Sequence, residues 1–248
     1  MFTYSMNPVD IFNHILSDRP KITYWMNRTL PKVEKIFAKM VLFPKYYSEE
    51  YKHTSSAAEY LLFYHQQNRN DKIQNKLIAK CCLENKKYYI EFGFGYNIDK
   101  ENKRCLAAPV LNIYGGHFFE RYKERRLKEE SLQIEDVIGK YFTRLTRLNL
   151  LEINDDIIKD WKEKYGYFST VFYTNEGICL GQRSICQPPD MPFEKGKANE
   201  VAVNEYKTFI STDMLSKTQK IAIKEEELKY YDRYVEHLNE LHQIGAIK

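Results

Sequence analysis

The stretch Tyr114-Gly115-Gly116-His117-Phe118-Phe119-Glu120-Arg121-Tyr122-Lys123-Glu124-Arg125-Arg126 joins a strand-like run to a helix, and its reading decides the fold class. Gly115 and Gly116 supply the turn, since glycine carries no Cβ and is tolerated at a helix entrance. At about 100° per residue, His117, Arg121 and Lys128 lie along one stripe, with Arg125 at its margin. Phe118, Phe119 and Tyr122 fall together on the other side. Such a helix buries its aromatics and holds an imidazole and a fork of guanidinium groups at the surface. That chemistry suits a phosphate, and it is equally compatible with an ordinary amphipathic helix.

Upstream, Leu77 to Leu83, Tyr88 to Tyr96 and Cys105 to Tyr114 are short runs rich in β-branched, aromatic and Cys residues. Polar turn-like residues separate them, which predicts an antiparallel meander. Gly93 and Gly95 interrupt the second run and point to a bulge or a close approach. They make no phosphate loop, because the third Gly and the Lys are missing. Downstream, Ile134 to Leu148 has helical periodicity, and residues 154–164 fit a further short helix. Phe168 to Tyr173, the compact turn Asn175-Glu176-Gly177 and Ile178 to Cys186 predict a hairpin. Residues 187–199 are rich in Pro, Gly and charge and read as a loop. Val201 to Ile210 reads as a strand, and a short helix through Gln219 follows it. A C-terminal helix spans about Ile223 to Leu241, with Leu228, Tyr231, Val235 and Leu238 on one stripe that is expected to pack within the chain.

The N-terminal part reads as helical. A short helix in residues 1–19 ends at Pro20. A second runs from about Leu30 to Phe43, with Pro31 in its first turn and a basic outer face of Lys32, Lys35 and Lys39. A third is expected over 53–68. Residues 66–70 (Gln-Gln-Asn-Arg-Asn) lack periodicity and are taken as a linker. The expectation is therefore an α+β protein: a helical N-terminal region at 1–70, then an α+β domain at 71–248. In that domain an antiparallel sheet carries a helix pair and is followed by a C-terminal helix.

The chain has 248 residues, 43% of them hydrophobic and 15% aromatic, enough for a packed core. Its net charge of +4 permits a nucleic-acid partner without demanding one. The five cysteines form no CxxC and read as free thiols of a reducing compartment. No leader-like segment and no run approaching a membrane span is seen. The expected localisation is cytoplasmic, away from membranes, and the oligomeric state stays open. No cofactor and no metal are expected: His237 and His242 are five apart and share no helix face. Gly-x-Ser-x-Gly is absent.

What remains is His117 with Arg121 and Arg125, and a late strand ending Tyr206-Lys207-Thr208-Phe209-Ile210. A His opening a helix, Arg four and eight residues on, a second helix, a hairpin and a strand ending in Thr resembles the small bacterial ribonuclease-toxin domains of the colicin/RelE/EndoU-like fold. The resemblance covers about residues 105–218, under half the chain, and rests on His117, Arg121, Arg125 and Thr208. It implies metal-independent RNA cleavage by attack of the 2′-OH on the adjacent phosphorus. His117 would then be acid or base, and Arg121 and Arg125 would hold the phosphate. Lys207 or Thr208 would reach the same phosphate from the sheet. Tyr114, Tyr122 and Tyr206 would stack bases or share proton transfer, and Lys128 would extend the cationic stripe. RNA is the partner on this reading. The alternatives are a non-catalytic nucleic-acid module, whose open basic surface joins the 28–45 helix to the 117–128 helix, and an interaction protein with a protein partner or inhibitor. The last expects His117 covered and an apolar strip exposed along 228–238.

Overall fold

A computed structural model describes residues 6–53, 58–83, 86–99, 104–144, 148–151, 155–187 and 198–245. Helix α1 spans Pro8–Lys39 without a break. Asn7 caps it, its side chain accepting the Asp10 N–H at 2.9 Å, while Asp10 reaches back to the Asn7 N–H. The two N-terminal helices expected on either side of Pro20 are therefore one. The reason lies in the buried stripe, Phe12, Ile15, Asp18, Ile22, Thr29, Val33 and Phe37. It keeps helical phase through both Pro20 and Pro31, and both prolines lie on the exposed side.

Of the third helix expected over 53–68, residues 54–57 lie outside the described residues, and Glu59–Gln66 form a strand rather than a helix. Strand β1 (Lys45–Lys52) pairs with β2 (Glu59–Gln66) instead. Tyr60 to Tyr64 are all buried. Tyr60, Leu62 and Tyr64 pack in the core under α1, while Leu61 and Phe63 enter a second core on the opposite face. A strand covered on both faces reads as a continuous apolar run, which periodicity cannot tell from a helix. Residues 66–70 are no linker between separate regions; they lie in the turn that leads from β2 into β3. There Asn68 donates its N–H to Asp71 Oδ2 at 2.9 Å.

The meander is as expected: β3 (Gln74–Leu83), β4 (Lys86–Asp99) and β5 (Arg104–Gly115) pair antiparallel in sequence. Helix α2 (Gly116–Tyr122) continues as a π-helical turn over Lys123–Leu127. Helix α3 (Ile134–Arg144), strand β6 (Leu148–Leu151) and helix α4 (Asp155–Tyr165) follow. Strands β7 (Thr170–Thr174) and β8 (Gly177–Cys186) form the hairpin expected at Asn175-Glu176-Gly177. In its turn the Thr174 hydroxyl accepts the N–H groups of Glu176 and Gly177 at 3.1 and 3.0 Å. Strand β9 (Val201–Ser211) leads through one 3-10 turn into α5 (Lys217–Gln243).

The protein is α+β. Among the described residues, nine strands form one sheet in the order β1-β2-β3-β4-β5-β9-β8-β7-β6. Only β5 and β9 run parallel. Helix α1 covers one face. On the other, α2 and α3 bury Phe118, Phe119, Tyr122, Val137, Ile138 and Tyr141 against Tyr89, Tyr114 and Tyr206. Tyr114 stacks on Tyr206 at 4.5 Å and meets the edges of Phe118 and Phe142 at 5.2 Å. Such aromatic pairs add about 0.5–1.5 kcal/mol each beyond area burial. A third cluster, including Trp161, Phe168, Ile178 and Ile223, joins α4 and the start of α5 to the β7–β9 end. Most of the stripe of α5 is left uncovered by the described chain: Leu228, Tyr231 and Val235 are 60%, 65% and 40% exposed, while Leu238 is half-buried. No helix among the described residues is long and apolar enough to cross a membrane.

Candidate nucleic-acid interface

Strand β5 delivers the chain to Gly115, where α2 begins, and the inward aromatics fix the helix's rotation. His117 and Arg121 are thereby left outside. The His117 side chain is 60% exposed, with Nδ1 3.4 Å from Glu120 Oε2. Arg121 donates from Nε to His117 Nε2 at 3.3 Å and from a terminal nitrogen to Glu124 at 2.7 Å. The next turn is wider. The Lys128 N–H bonds the Lys123 carbonyl at 2.8 Å, five residues back, and Lys128 closes the turn in the left-handed region at φ 57°.

The wide turn carries Arg125 onto the sheet. Its guanidinium donates to the Phe209 carbonyl and lies 3.4 Å from Thr208 Oγ1. Burial, and then the neighbouring Arg121, push its pKa down, so positive charge is crowded here. Arg126 turns the other way and pairs with the buried Glu176 at 3.1 Å. Lys128 pairs with Asp213 at 2.9 Å. The Asp213 carboxyl is held down to about 2 by its hydrogen bonds to Ser211 and to Lys128.

The structure thus brings Arg125, Thr208 and the adjacent Lys207 together, with Arg121 beside them. His117 reaches the group only through Arg121, and no hydrogen bond joins it to Thr208 among the described residues. Tyr114, Tyr122 and Tyr206 have a packing role rather than the base-stacking role expected of them: each is 0–1% exposed. Burial drives all three phenols up. The Tyr122 hydroxyl is committed to Glu176 at 2.9 Å. The basic face of α1 does not continue into this surface either. It lies across the sheet, where Lys32 bonds Glu49 at 3.2 Å and Lys45 donates to the Phe37 carbonyl at 2.7 Å.

Four residues outside the expected set lie beside Arg125 and Lys207. The Arg125 guanidinium lies 5.4 Å from the Tyr165 ring centre, and Lys164 Nζ 5.2 Å from the same ring. Lys162 and Lys207 lie 5.9 and 6.0 Å from the ring of Tyr167, which is 68% exposed. Tyr165, half-buried against the third cluster, and the exposed Tyr167 are thus each flanked by two cations, at cation–π distances. Among the described residues, none of Arg125, Lys162, Lys164 and Lys207 is in an ion pair with a carboxylate. The signal was legible: Lys159-Asp160-Trp161-Lys162-Glu163-Lys164-Tyr165-Gly166-Tyr167 interleaves basic and aromatic residues.

Burial pushes the thiol of Cys81 up to about 11 and that of Cys179 up to about 12. Among the described residues no group of three or more His, Cys, Asp or Glu is placed to hold a metal ion. Comparison of the chain with protein-family models, with curated proteins and with solved structures gives no match.

Proposed function

We propose that the protein binds single-stranded nucleic acid, RNA in the first place, across the surface formed by the π-turn, the end of α4 and the end of β9. The observation that carries this reading is the pair Tyr165 and Tyr167, each flanked by two cations that have no carboxylate partner among the described residues. Aromatic rings offer stacking platforms to unpaired bases, and the interleaved cations follow the phosphates. A duplex keeps its bases stacked on one another and offers the rings nothing. The test is fluorescence anisotropy with a short labelled RNA, single-stranded and then annealed, over a series of salt concentrations. Single strands should bind in preference to duplex, and binding should weaken steadily as salt rises. Equal affinity for both forms, or binding indifferent to salt, would remove the proposal.

One observation favours a cleaving version. His117 sits at the end of the same cationic run, hydrogen-bonded to Arg121. Incubating the RNA with the protein in EDTA, beside His117→Ala, separates the two. Binding without cleavage leaves the binding module. Cleavage that vanishes in the variant makes His117 the proton-transfer group of a metal-independent ribonuclease.

A further inference from the structure

On the face of the sheet that carries α2 and α3, successive cross-strand rows change character abruptly. The row Tyr89, Tyr114, Tyr206 lies under the helices. The next row is Glu91, Asn112, Asn204, Arg183, register partners across β4, β5, β9 and β8. Beyond it come Gly93, Val110, Ala202 and Ile185, a row of small and aliphatic residues. A cleft of about 280 Å³ opens over these two rows, with Leu150 and Phe172 on its β6–β7 side. Gly93 forms part of its floor, and a Cβ there would meet nothing within 4 Å.

Glu91, Asn112 and Asn204 are bonded to one another and to their neighbours up to one atom. Lys76 pairs with Glu91. Asn112 donates to Glu91 at 3.2 Å. The oxygen of Asn112 accepts from Asn204 Nδ2 at 2.9 Å and from the Tyr206 hydroxyl at 3.1 Å. Asn204 is only 8% exposed, lines the cleft, and has no hydrogen-bond partner for its Oδ1. A buried acceptor left without a donor costs about 1–3 kcal/mol. Arg183 stands exposed at the end of the row, in no ion pair among the described residues. Lys76 and Glu91 offset each other, so one positive charge is left over.

From this we infer a ligand site on the open sheet, independent of the nucleic-acid surface. Its ligand is a small monocarboxylate that also carries an N–H or O–H donor and an apolar substituent. That is the chemistry of a neutral α-amino or α-hydroxy acid. The planar fork of Arg183 takes the carboxylate. Asn204 Oδ1 accepts from the neighbouring amine or hydroxyl. Val110, Leu150 and Phe172 receive the apolar part, and Gly93 leaves room for it. A single unmatched cation beside a carboxylate suits a monoanion better than a phosphate dianion.

The test is titration calorimetry of the full chain with L-leucine and, separately, with its hydroxy-acid analogue. Leucine methyl ester and inorganic phosphate serve as contrasts. At least one of the two acids should bind, and which one does identifies the donor as amine or hydroxyl. The ester should bind roughly tenfold or more weakly, because it cannot form the charged hydrogen bonds to Arg183. Arg183→Met, at an exposed position, should weaken the acid by a similar factor. Gly93→Val fills open space in a strand, so it should keep the thermal midpoint while abolishing binding. Failure of both acids to bind would overturn the inference, as would affinities untouched by the two variants. Phosphate binding as tight as that of the acids would do the same.

Discussion

Tyr167 stands 68% exposed between Lys162 and Lys207, a position that burial does not explain. Stacking of a base on an aromatic ring contributes about 1–3 kcal/mol, so Tyr167→Ala should weaken RNA binding roughly 5- to 150-fold with little effect on stability. Lys207→Ala should act differently. It removes the cation from one phosphate and should lower the slope of log affinity against log salt by about 0.7. A Tyr167→Ala variant that binds normally would move the interface elsewhere. The cysteines give a second residue-scale outcome. Cys82 is exposed, whereas Cys81 and Cys179 are buried with thiols raised to about 11 and about 12. Raised thiol pKa values leave little thiolate at mildly alkaline pH. Iodoacetamide followed by mass spectrometry should therefore mark Cys82 and spare Cys81 and Cys179 until denaturant is added. Residue types alone pointed to Arg125, Lys207 and Thr208, because cations and hydroxyls are read directly from the chain. They misdirected for Tyr114, Tyr122 and Tyr206, because a tyrosine serves cores and wet surfaces alike and only burial separates the two.

At the scale of the element, α1 shows packing overriding a local signal. A proline inside a helix is about 3 kcal/mol less favourable than alanine, offset in part by the entropy that proline removes from the unfolded chain. Pro31 lies on the exposed side, within a helix whose stripe keeps its phase from Phe12 to Phe37. Pro31→Ala should therefore raise stability by about 2 kcal/mol, or roughly 4–8 °C in thermal unfolding. An unchanged or lower midpoint would mean that the proline geometry itself is needed for α1 to follow the sheet. Strand β2 is the complementary case. Its run Tyr60-Leu61-Leu62-Phe63-Tyr64 carries no period because both of its faces are covered. Within α1, Asp18 accepts the Tyr60 hydroxyl at 2.7 Å and lies 3.6 Å from both His14 and His53. The Asp18–Tyr60 bond in that cluster ties helix to sheet across 42 positions of sequence.

For the whole molecule, the sheet is continuous from β1 to β6 through the parallel β5–β9 pair. The two tryptophans report on opposite ends of it. Trp25 lies on α1 with its ring 5.0 Å from that of Tyr51, and Trp161 is buried in the cluster under α4. Trp25→Phe and Trp161→Phe each leave one reporter. In urea the two should give coincident fluorescence transitions, as expected when one sheet unfolds cooperatively. Two separated midpoints would show that the N-terminal helix and strands unfold apart from the rest.

The amino-acid sequence by itself determined the α+β class, the β3–β5 meander, the Asn175-Glu176 turn and the exposed face of α2 that carries His117 and Arg121. These are local patterns, written in periodicity, turn chemistry and residue type within a few positions. Tertiary structure alone decided that Tyr60 to Tyr64 form a strand, that β9 inserts parallel to β5, and that the basic face of α1 lies across the sheet from α2. It also decided that Arg125 meets Thr208, 83 positions away, with the Lys-Tyr pairs of α4 beside them. The physical reason is that a side-chain pattern encodes which face of an element is apolar, but not which distant element covers it.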